Sequence, residues 1–371
     1  MKSGWVTKKL GDVCEINYGT RVRRKDSRSD NYPVYGGGGE TFRWETFNRE
    51  NQCVVSRFAM SPECVRFVPG KFFLNDSGLT VDTASDGLLQ DYLDWCLFGK
   101  QDIIYALGKG SAQKNLDIRE FVNIPIPIPP LPEQKRIVAK IDVAFEKIDK
   151  LKANAEKNLA NAKELFQAAL DEAMRPKDGW VEKRLGEVCA ITSVMVDPTL
   201  PQFTNMLHIG GGNIVSQTGE LVDLKTAKEE NLRSGKFTFD KSMVLYNKIR
   251  PYLKKVARPN FSGLCSADMY PLCPNSCCIR DFLYYMLLTN RFTKYAIGES
   301  ERAGMPKVNR EELFAYCEKI PDKLSEQREI VKRLDLLAEK IKMLEQNYTQ
   351  QIADCVEMRQ AVLREAFEGR L

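Results

Sequence analysis

Two short stretches gather cations: RVRRKDSR at 21–28, and KIRPYLKKVAR at 248–258, the second around Tyr252. Guanidinium and ammonium groups in this density bind phosphate and base edges through charge-assisted hydrogen bonds, so the chemistry on offer is recognition of a polyanion. A solvated basic face is the plainer reading of either stretch alone, but one such cluster falls in each half of the chain. The net charge of +5 is too small for coating DNA without regard to sequence, which points to a site that reads bases.

Bond-making chemistry finds little support in the residues. His208 is the only histidine, which removes most routes to zinc sites, imidazole bases and Ser-His or Cys-His nucleophiles. Cys273, Cys277 and Cys278 in CPNSCC lack the paired spacing of a structural zinc site, and no metal is expected. GGGG at 36–39 has no following Lys-Ser/Thr, so it is not a phosphate loop; Ser111 and Lys114 match S-x-x-K without its companion motifs. Eleven cysteines, an odd number at irregular spacing, fit reduced thiols in the cytosol. The opening MKSGWVTKKL lacks the apolar core of a secretory signal. The longest apolar run, Phe282 to Leu288, is far too short to cross a bilayer, so no membrane association is expected.

The elements that must position these clusters come in two copies. GWVTKKLGDVCEI at 4–16 and GWVEKRLGEVCAI at 179–191 are identical at nine of thirteen positions, at an offset of 175. DYLDWCLF and DFLYYMLL match at an offset of 190, and EQKRIVAKIDVAFEKI and EQREIVKRLDLLAEKI at 193. The unit is a globular domain followed by a helix, with 18 extra residues in the second globular part. Boundaries are expected at 1–130, 131–176, 177–320 and 321–371.

Each helix carries apolar residues in 4-3 alternation. The first reads Ile137, Ile141, Ala144, Ile148, Leu151, Ala155, Asn158, Ala162, Leu165 and Ala169; the second reads Ile330, Leu334, Leu337, Ile341, Leu344, Tyr348, Gln351, Cys355, Met358 and Val362. This spacing predicts a coiled coil, with Asn158 and Gln351 as polar residues at one equivalent seam position. If the two domains share a fold, the helices run antiparallel over roughly 60 Å, related by an approximate two-fold axis. The prolines at 125, 127, 129, 130 and 132 end a strand or loop and launch the first helix, with Pro132 suited to its first position.

Laid out this way, the chain resembles the specificity subunit of type I restriction-modification systems over its whole length. PPLPEQKRIVAKID and its echo LSEQREIVKRLD resemble the family's conserved helix starts. YPVYGGGG, GSAQKNL, VLYNKIRPYLKKVA, FSGLCSADMY and AGMPKVN resemble its target recognition domains. The resemblance implies an α/β (α+β) fold of two target recognition domains separated by antiparallel coiled-coil helices, each domain reading half of a split site in double-stranded DNA. It implies two methyltransferase subunits docked on the helices and motor/nuclease subunits joining them. The subunit has no catalysis or cofactor of its own; S-adenosylmethionine, ATP and magnesium belong to its partners. SEQ replaces the second PPLxEQ, which puts the exact entry of the second helix in question.

Arg pairs with guanine, and Asn or Gln with adenine, in a major groove. The DNA-binding candidates are Arg21, Arg23, Arg24, Lys25, Arg57, Lys109, Gln113, Lys114 and Asn115 in the first domain. In the second they are Asn213, Lys248, Arg250, Tyr252, Lys254, Lys255, Lys307 and Asn309. YGGGG and IGGGN would bring backbone amides close to phosphates or simply make turns. The residues alone leave open a two-headed spacer that binds proteins, or a nuclease or methyltransferase fused to its own reader.

Overall fold

The structure, a computed structural model, describes residues 4–111, 113–300 and 306–371. The first three residues, Ala112 of GSAQKNL and residues 303–305 of AGMPKVN lie outside the described residues. The chain packs as two compact units: one takes the chain up to Glu156 together with Thr349–Leu371, the other Lys157–Tyr348. Each unit therefore contains one globular head and parts of both long helices, Leu131–Ala173 and Leu324–Phe367.

In the first head, β1 (Val6–Lys9) pairs antiparallel with β10 (Pro125–Ile128). Ile126 and Ile128 alternate with Pro125 and Pro127, so the missing amides fall at the alternate positions that need no partner on a ladder with one neighbour. The carbonyl of Pro127 accepts from the Tyr92 hydroxyl at 2.8 Å. The main sheet contains β2 (Cys14–Tyr18), β3 (Tyr32–Gly36), β4 (Gly39–Trp44), β5 (Arg49–Ser56), β6 (Val65–Leu74) and β7 (Gly78–Thr83) in the order β2-β7-β5-β6-β3-β4. β3 and β6 are parallel neighbours. A short hairpin joins β8 (Gly108–Lys109) to β9 (Asn115–Leu116).

The second head repeats these pairings. β11 (Val181–Arg184) pairs with β21 (Cys317–Ile320) as β1 does with β10. One sheet orders β12 (Cys189–Ala190), β20 (Met269–Pro274), β17 (Val244–Asn247) and β18 (Val256–Ala257). The other orders β13 (Met195–Val196), β16 (Lys236–Phe239), β19 (Gly263–Cys265), β14 (Leu207–Ile209) and β15 (Lys225–Thr226), with β14 and β19 parallel. β6 runs unbroken through ten residues in the first head, whereas the second head divides the corresponding stretch between β18 and β19.

The long helices complete the core of each unit. Ile137, Ile141 and Phe145 from the first helix, and Leu363 and Ala366 from the second, are buried with Leu93, Leu97 and Ile104 of the first head. Leu170 and Met174, with Ile330, Val331 and Leu334, do the same among Phe282, Leu283 and Leu287 of the second. Fully burying each large apolar side chain is worth roughly 1.5–3 kcal/mol, so the helix ends are integral to the heads. In the first unit Arg136 donates to the Leu371 carbonyl at 2.8 Å and Arg359 pairs with Asp149 at 3.1 Å. One residue number rises as the other falls, which is the antiparallel arrangement.

The seam departs from the expected one at three positions of each helix. Ile137, Ile141, Ile148, Ala155, Ala162, Ile330, Leu334, Ile341 and Cys355 are buried. Leu151 (53% exposed), Leu165, Leu344 and Met358 face outward, as do Asn158 and Gln351, which are therefore not polar insertions in the seam. The partly covered positions lie one residue later, at Lys152, Leu159, Phe166, Glu345, Ile352 and Arg359. One residue turns a helix by about 100°, enough to move a side chain from seam to solvent. Lys152, Glu345 and Arg359 can cover the seam with their methylene stems, and the Arg359 guanidinium lies 4.5 Å from the Phe145 ring centroid. No helix among the described residues is long and apolar enough to cross a membrane.

Candidate nucleic-acid interface

In the first head, Arg21, Arg23, Arg24 and Lys25 are exposed on the loop between β2 and β3, with a turn of 3-10 helix at Arg24–Asp26. This loop is anchored by the Ser27 hydroxyl, which donates to the Arg43 carbonyl on β4 at 2.9 Å. Arg57 follows β5 directly. Its guanidinium lies 4.7 Å from the Tyr18 ring centroid and 4.6 Å from that of Phe58, which pre-orders a long side chain without consuming its hydrogen-bond donors. Tyr18 was not a sequence candidate; 39 positions separate it from Arg57, and no local pattern marks the contact.

The β8–β9 hairpin is tied to the same place: the Leu116 amide donates to the Arg57 carbonyl at 2.8 Å, and the Met60 amide to the Lys114 carbonyl at 3.0 Å. Gly110 has φ +120°, and a Cβ there would lie 2.2 Å from the Gln113 carbonyl oxygen, so the tip demands glycine. Gln113 is exposed at the tip, as is Asn115 beside it, where its Oδ1 is 3.4 Å from the Ala59 amide. Lys109 pairs with Asp117, and the Lys114 ammonium lies 4.0 Å above the Tyr105 ring.

The second head builds the equivalent place from different residues. Lys248 follows β17 as Arg57 follows β5. The Lys248 amide donates to the Asp268 carbonyl at 3.1 Å, and the Val308 amide to the Lys248 carbonyl at 3.1 Å. These match the Arg57 amide to the Ser77 carbonyl at 2.8 Å and the Leu116 bond above. Ala59 and Arg250, each two residues later, have left-handed backbones, φ 49° and 51°, unusual for residues with a Cβ. Arg250 and Tyr252 are exposed, and a bridge between Ile249 and Lys307 brings exposed Lys307 beside Arg250.

The remaining candidates are engaged internally. The Lys248 ammonium donates to the Ala267 carbonyl at 2.7 Å. Lys254 is 7% exposed, and burial holds its pKa below the usual lysine range; Lys255 donates to the Gly211 carbonyl. Asn213 accepts from the Gly210 amide and donates to the Val222 carbonyl, holding the IGGGN turn. Asn309 caps the helix Arg310–Ala315, its Oδ1 accepting from the Glu312 amide at 2.9 Å. KIRPYLKKVAR is thus divided between outward Arg250 and Tyr252 and inward Lys254 and Arg258, a division invisible in its charge pattern.

Gly36–Gly39 forms the β3–β4 hairpin, closed by Ser56 and Arg66 donating to the Gly37 carbonyl. His208 is buried with Nδ1 2.8 Å from Glu230, and burial depresses its pKa. Among the described residues no three His, Cys, Asp or Glu side chains gather to hold a metal ion.

Two copies of one α/β head, each continued by a long helix, define a duplicated-domain protein. The model of the type I restriction modification DNA specificity domain matches it twice, at residues 2–160 and 177–353, and the chain belongs to that family. It is 26% identical to the type I restriction enzyme EcoDI specificity subunit of Escherichia coli, over 99% of this chain and 88% of that one. A chain from a solved structure described as the structural basis underlying complex assembly and conformational transition of the type I R-M system has TM-score 0.76 at 19% identity, covering 100% of this chain and 99% of that one. The HsdS subunit of Thermoanaerobacter tengcongensis has TM-score 0.53 at 20% identity, covering 100% and 98%. These two carry the fold.

Proposed function

We propose that this chain is the cytosolic, non-catalytic reader of a type I restriction-modification enzyme, holding one half of a split DNA site on each head. The heads correspond to target recognition domains at 1–130 and 177–320. The observation that carries the reading is the repeated frame around Arg57 and Lys248: the same two backbone hydrogen bonds and the same left-handed residue two positions later, with different side chains presented. One scaffold with two different faces is what a bipartite, asymmetric site requires. In the first head Arg57, Gln113 and Asn115 are available for base edges, with Arg21–Lys25 for phosphates. Arg250 and Lys307 lead in the second.

The long helices set the interval between half-sites and dock the two methyltransferase subunits. Supporting the docking are the outward apolar residues at matching positions of the two helices: Val143 and Leu336, Leu151 and Leu344, Leu165 and Met358. Motor/nuclease subunits join that core, and the partners supply S-adenosylmethionine, ATP and magnesium. Methylation mapping of a genome carrying this chain with its methyltransferase tests the reading. A single bipartite motif is expected; methylation without a motif that depends on this chain would overturn it.

A further inference from the structure

The inward half of KIRPYLKKVAR closes a polar network, centred on the buried Lys254, that fastens the Arg250–Lys254 loop to a long helix. The Lys254 ammonium donates to Gln167 Oε1 at 2.7 Å and to Asn290 Oδ1 at 2.6 Å. Both amides then turn their nitrogens to one carboxylate: Gln167 Nε2 lies 3.2 Å and Asn290 Nδ2 2.5 Å from Asp171 Oδ2. The Asn290 backbone amide completes the set, 2.8 Å from Asp171 Oδ1. Two amides thus bridge a lysine and an aspartate, an arrangement that satisfies a buried cation without direct ion pairing. Gln167 and Asp171 belong to the first long helix, while Lys254 ends the loop that presents Arg250 and Tyr252.

A second fastening follows four residues on. Arg258 lies over the rings of Tyr284 and Tyr285, at 4.6 and 5.1 Å, and its guanidinium meets Asp335 of the second long helix at 2.5 Å. The first head holds its equivalent loop differently, with Gln101 Oε1 accepting from the Val65 amide at 3.0 Å. At the positions matching Asn290 and Asp171 the sequence has Lys100 and Arg364, which cannot build the same bridge.

We infer that Lys254 and Gln167 are positioning residues for base reading: they clamp the DNA-facing loop of the second head to the first long helix, making that head's discrimination depend on a helix residue that touches no base. The inference rests on the second head reading DNA through this loop. It sets the two heads apart, because among the described residues only the second has its loop tied to the long helices by this network.

The test uses the full chain assembled with its methyltransferase partners, and competition binding with three duplexes over a series of salt concentrations. One carries the mapped site; the others are altered in one half-site or the other. Lys254→Met and Gln167→Leu should each reduce discrimination at the second head's half-site about tenfold, leaving the other half-site and the salt slope unchanged. The double variant should be no worse than Lys254→Met alone within about twofold, as members of one network are not additive. A salt slope smaller by about one unit in Lys254→Met would make Lys254 a phosphate contact and overturn the inference. So would equal losses at both half-sites, or normal discrimination in either variant. If Lys254→Met does not fold, Gln167→Leu, altered on the helix, carries the test. Arg250→Ala and Arg57→Ala separate the underlying reading: if neither changes affinity or salt slope, DNA recognition by these loops fails whatever Lys254 does.

Discussion

Gln134 and Gln327, one near the start of each long helix, make the same three hydrogen bonds. Gln134 Nε2 donates to the carbonyls of Gly87 and Pro129, and its Oε1 accepts from the Leu89 amide, all at 2.8 Å. Gln327 does this with Cys277, Pro321 and Ile279 at 2.9 Å. Both side chains are wholly buried, so the glutamine of each EQ pair is a staple between helix and head. Gln134→Leu leaves two carbonyls and one amide without partners and should cost about 3 kcal/mol. Urea unfolding should show the loss, with Gln327→Leu giving a similar value.

Exposed cations should bind phosphates. Arg23→Ala with Arg24→Ala is expected to weaken binding to any duplex and to flatten the dependence of log K on log salt by roughly one unit for each phosphate no longer neutralised. An unchanged slope would remove both residues from the interface.

Exchanging residues 1–130 for the same region of a relative should alter one half of the methylated motif and leave the other intact. Simultaneous loss of both halves would mean that the heads do not read independently.

The interval between half-sites can be tested without disturbing either head. Leu170 is in the second head's core, so an insertion there would damage it. One extra heptad after exposed Asn158, matched by one after exposed Gln351, keeps the seam in phase. Seven residues add about 10 Å of helix, and with a rise of roughly 3.4 Å per base pair the gap in the motif should lengthen by about three. An unchanged gap would assign the spacing to the partner subunits.

Asp94 is buried in the first head and accepts from Gln90 Nε2 at 2.8 Å; burial raises its pKa to about 7. Its folded state therefore holds the proton more tightly than the unfolded chain. The resulting stability is fully present below the unfolded pKa, near 4, and is lost as pH rises through about 7. Asp94→Asn keeps an acceptor for Gln90 and should abolish this dependence, being more stable than the parent at pH 8 by about 2–3 kcal/mol. Thermal melts across that range check it.

The duplication, the helices and their antiparallel course were legible because they are written in local spacing and in matching words. The seam was half legible. Ile141 and Ile148 on the first helix, and Leu334 and Ile341 on the second, are spaced by seven residues, but further along Leu151 and Leu344 look more apolar than Lys152 and Glu345, and long polar stems can cover a seam that hydropathy assigns to leucine. The candidate interface can be read in the sequence as charge but not as side-chain direction. Lys254 and Arg250 share one word of sequence; two left-handed residues, Arg250 and Lys254 with φ 51° and 47°, turn their backbones, and no spacing rule anticipates that. Tyr18 beside Arg57 depends on strand ends that meet only in the fold.

The frame around Arg57 and Lys248 is made of peptide groups alone, and peptide groups are the same whatever side chain they carry. Such a frame is indifferent to its contents. Substitutions at either position change the side chain while leaving these backbone hydrogen bonds intact, so the side chains can drift faster than the frame that holds them. Descent from a single ancestral repeat would then preserve the hydrogen-bonded posture in both copies while the residues it carries diverge.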